Sequence, residues 1–163
     1  SIRKVATINA GDGDPDFFRW KRGKRGLLFF GADDVFKNWY SSYAYSPAPS
    51  IVLHYCNGKY QIAGELMRKP PPTEKTLQAK AAVIQKDEAW GQEGEFPPLL
   101  WKEMLDLIYT GNAASAYRLF DIAWPERITG KASFLEAFRK QLAESEYWPE
   151  ILQMNEGKPG CRH

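Results

Sequence analysis

A chain of 163 residues with 44% hydrophobic and 14% aromatic content is long enough to bury one substantial core, or two small lobes that share one, and is not disordered by composition. Its formal net charge of +2 falls short of the concentrated basic stripe that nucleic-acid binding needs, so nucleic acid is not an expected partner. No apolar run reaches the roughly 18–20 residues of a membrane span.

Charge is uneven along the chain. Residues 1–69 carry 11 Lys and Arg against 6 Asp and Glu, a balance of +5; residues 70–163 carry 11 against 14, a balance of −3. The first residue is Ser1 rather than Met, which suits a trimmed chain or a processed, exported one. Only two cysteines occur, Cys56 and Cys161, with no CxxC spacing, and this excludes a structural zinc site.

The first notable stretch is INAGDGDPDFFRW at residues 8–20, which sets Asp12, Asp14 and Asp16 at alternate positions around Gly13. An EF-hand loop starting at Asp12 would need Gly at its sixth position and Glu at its twelfth; these are Phe17 and Gly23, so that loop is excluded. The segment GDGDPDFF resembles the calcium loop of FG-GAP or VCBS-type propeller repeats. Asp12, Gly13 and Asp16 match that pattern, and Phe17 and Phe18 open the strand that follows it. The resemblance implies calcium held by Asp12, Asp14 and Asp16. Because the first two ligand positions fall on Ile8 and Ala10, binding is expected to be weak or absent. The following region resembles the strand-and-hairpin segment of uncharacterised bacterial envelope proteins. One such unit cannot close a propeller of four or more blades.

Short aromatic and β-branched runs predict strands through the first half. FFRW and LLFF flank KRGKRG, which predicts a hairpin with a basic loop over residues 21–26. The segment NWYSSYAYSPAPS at 38–50 places Trp39, Tyr40, Tyr43 and Tyr45 among serines and prolines. Tyrosine and tryptophan give large rigid contact area with a polar handle, so these four are the candidate binding residues, the other reading being a loop whose aromatics plug the sheet. A second hairpin is marked by Asn57-Gly58, a type I′ signal that pairs Cys56 with Lys59, Tyr55 with Tyr60, His54 with Gln61 and Leu53 with Ile62. Alternation then puts Ile51, Leu53, Tyr55, Tyr60 and Ile62 on the core face and His54 and Cys56 on the polar one.

RKPPP at residues 68–72 ends the strand region, because consecutive prolines neither extend a sheet nor lie inside a helix. Thr73 caps a predicted helix carrying Leu77, Ala81 and Ile84. Pro97 and Pro98 start a second, with Leu100, Trp101, Met104, Leu105 and Ile108 on one face, stopping at Gly111. Asn112 is the expected cap of a third carrying Ala116, Tyr117, Phe120 and Ala123, which Pro125 ends; Thr129-Gly130 opens a fourth with Phe134, Leu135, Phe138 and Leu142. Ser145 caps a last turn around Trp148, Ile151 and Leu152, and the tail NEGKPGCRH lacks apolar periodicity. Ala116, Phe120 and Ala123 resemble the second helix of a tetratricopeptide unit; a single pair implies a helical hairpin rather than a solenoid.

Catalytic constellations are sparse. Nucleophilic hydrolysis needs a histidine base, and the chain offers only His54 and His163. Acid pairs drawn from Asp12, Asp14, Asp16, Asp33 or Asp34 lack the apolar pocket that raises a carboxyl pKa. The expected fold is α+β, an N-terminal, mostly antiparallel sheet over residues 1–69 followed by a helical part over 70–163 with Trp101, Tyr117, Phe120, Phe134, Phe138 and Trp148 in its core. The expected function is that of a non-catalytic exported bacterial module, periplasmic or in the envelope, binding a protein or envelope component; an immunity-type protein is one form of it. The alternative is a metal-assisted or acid/base hydrolase using Asp12, Asp14 and Asp16. In an oxidising compartment Cys56 and Cys161 are expected to pair as a disulfide, with Cys56 pointing to solvent at the hairpin tip.

Overall fold

The computed structural model describes residue 8 and residues 19–23, 26–42, 45–91 and 95–161. Four strands, β1 (Arg19–Gly23), β2 (Gly26–Ala32), β3 (Ser50–Cys56) and β4 (Lys59–Ile62), form one antiparallel sheet in the order β1-β2-β3-β4. Six helices follow: α1 (Gly64–Met67), α2 (Glu74–Ile84), α3 (Pro98–Ile108), α4 (Ala113–Ala123), α5 (Lys131–Ala143) and α6 (Trp148–Asn155), with a 3-10 turn at Glu88–Gly91 between α2 and α3. The fold is α+β, with the sheet first and the helices after it. No helix among the described residues is long and apolar enough to cross a membrane.

Local chemistry sets these boundaries. Asn57 and Gly58 both take positive φ, +50° and +84°, as a type I′ turn requires, and the register is the one this turn dictates, from Cys56 opposite Lys59 to Leu53 opposite Ile62. The first hairpin is tighter than its sequence suggests. Lys21 and Arg22, expected in the basic loop, lie in β1, paired with Leu28 and Leu27, and Gly23 faces Gly26. Thr73 caps α2 through its hydroxyl, which accepts from the Thr76 N–H at 3.2 Å. Asn112 occupies the N-cap of α4 without capping it. Its amide donates instead to the Lys69 and Thr110 carbonyls, and Asn155 of α6 accepts from the Ala113 N–H at 2.7 Å in its place.

One core joins the two parts. Phe29, Ile51, Leu53 and Ile62 from the sheet and Phe36 from the β2–β3 connection lie in the same cluster as Trp101, Met104, Phe120, Phe134, Phe138 and Ile151. Tyr117 and Trp148, expected inside it, are only half-buried and pack against its surface. α4 packs against both α2 and α3, so the small residues Ala116 and Ala123, fully buried, admit close neighbours as their spacing predicts.

The expectation that His54 and Cys56 form a solvent-facing side is overturned: His54 has no exposed surface and Cys56 is 3% exposed. The chain turns straight from β4 into α1, which sets Glu65 Oε1 3.7 Å from His54 Nδ1. The segment after α6 then brings Cys161 to Cys56 in a disulfide with the Cα atoms 6.4 Å apart. Both sides of the sheet are therefore covered at this end, and a strand covered on both sides loses the simple inside-outside alternation. The outer edge of the sheet is closed as well, because the outward N–H of Ile62 in β4 donates to Glu150 Oε2 of α6 at 2.5 Å.

Candidate recognition site

The connection between β2 and β3, residues 33–49, leaves the sheet and returns to it with its ends together: Ala32 is paired with Ser50, and the Asp33 N–H donates to the Pro49 carbonyl at 2.9 Å. Its base is fixed by one buried carboxylate. Asp33, 5% exposed, accepts from the nearby Val35 N–H at 3.1 Å through Oδ1, and through Oδ2 from the hydroxyls of Tyr109, the C-cap of α3, and Ser145, each at 2.5 Å. Gln141 of α5 donates to the Val35 carbonyl. The loop is thus tied to three places in the helical part before its aromatic segment begins.

Phe36, with no exposed surface, anchors that segment against Phe138, ring centroids 5.1 Å apart. Trp39, half-buried, stands edge-on to Trp101 at 5.5 Å and to Phe134 at 5.3 Å, which is the geometry of a plug over the helical core. Beyond it the backbone is strained. Asn38 and Tyr40 both adopt the left-handed region, at φ +58° and +47°, and a bulky side chain there costs about 1–3 kcal/mol. Serines hold this shape: the Asn38 N–H donates to Ser46 Oγ at 2.8 Å, and the Ser46 hydroxyl donates to the Ser42 carbonyl at 3.1 Å.

The result is an aromatic rim at the surface. Tyr40, 47% exposed, leans edge-on against Trp39 at 4.6 Å and Phe96 at 5.7 Å, and Tyr45, five residues further on in the same loop, stands 74% exposed. Of the four candidate binding residues, Trp39 is turned inward, Tyr40 and Tyr45 outward, and Tyr43 lies outside the described residues. Asp12, Asp14 and Asp16 also lie outside them. Among the described residues no group of three or more His, Cys, Asp or Glu side chains is arranged to hold a metal ion. Sequence reasoning missed Phe96, which sits in the Gly- and Glu-rich loop after the 3-10 turn and reaches the rim only through tertiary packing. It also weighed Asp33 as a catalytic acid when its partners make it a clamp.

A cleft of about 390 Å³ opens on another flank, between the start of β3, the proline run and α3. Its lining charges are the Lys80–Glu103 ion pair, Asp106, which pairs with Lys102 at 2.7 Å, and Lys69.

Burial raises the pKa of Tyr109 far above the usual phenol value, and the neighbouring Asp33 charge adds to the effect. Below pH about 10 the phenol is protonated in folded and unfolded chains alike and its stabilising contribution is fully present. Above that pH the unfolded chain releases a proton that the folded one keeps, so stability falls by about 1.4 kcal/mol per pH unit from this group. Urea unfolding between pH 8 and 11 should show stability falling above about pH 10, and Tyr109→Phe should reduce that fall by about 1.4 kcal/mol per pH unit; an unchanged slope would contradict the assignment.

No family model, curated protein or solved structure matches this chain.

Proposed function

We propose that this protein is a non-catalytic, exported bacterial module that binds a protein or envelope component through the rim formed by Tyr40 and Tyr45. The observation that carries this reading is Tyr40 itself. A large aromatic residue is held in a left-handed backbone conformation, half exposed, by a loop fixed at its base through a buried carboxylate. Strain of this kind persists where the surrounding structure over-determines it, and it concentrates at ligand clamps. The Tyr- and Ser-rich composition of residues 38–50 is that of surfaces recognising folded partners, since tyrosine buries a large area while losing only two side-chain torsions. The disulfide between Cys56 and Cys161 supports an oxidising, extracytoplasmic location.

The test is capture of a partner from bacterial envelope extract by the immobilised protein, followed by affinity measurement on the captured species. Tyr40→Ala and Tyr45→Ala should each weaken binding by about 30-fold, the equivalent of roughly 2 kcal/mol at a hot spot. Tyr40→Gly should weaken binding equally while keeping or raising the thermal midpoint, because glycine relieves the left-handed strain. Undiminished binding by all three variants would sink the proposal.

A further inference from the structure

The best-defined chemistry outside the rim is the covalent link between β3 and the segment after α6. His54 and Cys56 are two residues apart on one strand, so they project to the same side of the sheet, about 6.8 Å apart along it. Glu65 of α1 approaches the buried His54 at 3.7 Å, and a side chain at Gly160 would come within 3.9 Å of the same carboxylate. His54, Glu65, Cys56 and Cys161 therefore belong to one cluster, brought together by β3, α1 and the tail. The two sulfurs are unequally accessible: Cys56 is 3% exposed, while Cys161 is half-buried at the rim of a cleft of about 230 Å³ that Arg68 and Glu150 also line.

We propose that Cys56–Cys161 is a thiol-exchange site for low-molecular-weight thiols or dithiol oxidoreductases, in which His54, oriented by Glu65, stabilises the departing Cys56 thiolate. A thiolate attacks Sγ of Cys161, the more accessible sulfur. A new sulfur–sulfur bond forms there, the old one breaks, and its electron pair leaves with Cys56. A second thiol attacks the mixed disulfide and releases Cys161. Overall the protein disulfide gains two electrons and the two reductant thiols become one disulfide. Of the two protons they bring, one ends on Cys161 and the other on the imidazole of His54, which then forms a cation–thiolate pair with Cys56.

A buried thiolate without a cation beside it would be a poor leaving group, since burial in apolar surroundings raises a thiol pKa. Among the described residues, the charged groups facing this cluster are Glu65 from α1; Lys59 from β4, which is paired across from Cys56 and bonded to Glu150 of α6 at 3.4 Å; and Arg68, Glu150 and Lys158, which line the cleft at Cys161; β2 contributes the apolar Leu28 opposite His54. Reduction would break the covalent tie of the segment after α6, which is also held by hydrogen bonds. The Arg68 guanidinium donates to the Met154 and Lys158 carbonyls at 3.1 and 2.9 Å, and the Lys158 N–H donates to the Gln153 carbonyl at 3.0 Å.

The experiment equilibrates the whole chain in glutathione buffers of graded redox ratio under native conditions, then alkylates and weighs it, with circular dichroism recorded in parallel. The wild type should interconvert reversibly between zero and two alkylatable thiols while its helical signal is unchanged. His54→Asn should shift the glutathione equilibrium toward the disulfide by about tenfold, one pKa unit of thiolate stabilisation, and Glu65→Gln should shift it in the same direction. Glu65 is 35% exposed, so its variant decides the matter if the buried His54→Asn fails to fold. A disulfide that yields only in denaturant, or folded variants with the wild-type equilibrium constant, would overturn the proposal.

Discussion

Asp33→Ala is expected to cost about 3–5 kcal/mol of stability through the donors it leaves without an acceptor. The reasoning starts from the donors. The Tyr109 and Ser145 hydroxyls and the Val35 N–H all end on this one carboxylate, and hydrogen bonds to a charged group contribute about 1.5–3 kcal/mol each. Alanine removes the acceptor and leaves two hydroxyls buried without it, so their desolvation is no longer compensated. Asp33→Asn retains one carbonyl acceptor and should cost about half as much. For a chain of this length each kcal/mol lowers the thermal midpoint by about 2–4 °C, so a fall of roughly 6–20 °C is expected for alanine. Urea unfolding followed by tryptophan fluorescence measures it, and a loss below about 1 kcal/mol would show that the carboxylate is dispensable. The rim should respond too, since Asp33 fixes the base of the loop that displays Tyr40.

Phe134→Ala is expected to cost a similar amount, about 3–5 kcal/mol, through a different mechanism. Phe134 is 2% exposed and its ring meets six others: Phe96 at 4.9 Å, Trp39 at 5.3 Å, Trp124 at 5.5 Å, and Tyr40, Trp101 and Phe120 each at 6.0 Å. Truncation removes the transfer free energy of the ring and leaves a cavity that rigid aromatic neighbours cannot collapse to fill. Because Tyr40 and Trp39 lean on this ring, the substitution should weaken near-ultraviolet dichroism and partner binding together. Phe134→Leu, which refills part of the volume, should recover roughly half of the stability. If Phe134→Ala destabilised the fold and left partner affinity intact, the rim would not depend on the core beneath it.

Sequence patterns reached the fold well where the signal is local. The Asn57-Gly58 turn fixed the register of β3 and β4, Thr73 marked the start of α2, and the 3.6-residue periodicity of α3, α4 and α5 identified Trp101, Phe120, Phe134 and Phe138 as core. What was not legible depends on residues far apart in the chain. His54 reads as a surface residue because its strand alternates, and only the fold-back of α1 and the arrival of Cys161 bury it. Asn112 reads as a cap because nothing near it in sequence reveals that Asn155 will take that role. At the rim, composition singled out the tyrosines, but which of them plug the core and which face outward follows from two left-handed residues that no propensity scale anticipates for tyrosine.

The ties that close the sheet half share an origin late in the chain. Gln141 bonds Val35, Ser145 bonds Asp33, Glu150 closes the outer edge of β4, and Cys161 reaches Cys56. During synthesis, which proceeds at about 5–20 residues per second, strands β1–β4 therefore emerge long before the groups that finish them. Contacts of such sequence separation carry a loop-closure cost that is met only once both ends exist, so the sheet half should remain open until residues 141–161 have emerged. Until then the edge of β4 and the base of the residue 33–49 loop lack the partners that close them, so the nascent sheet half is the part of the chain most exposed to wrong pairing.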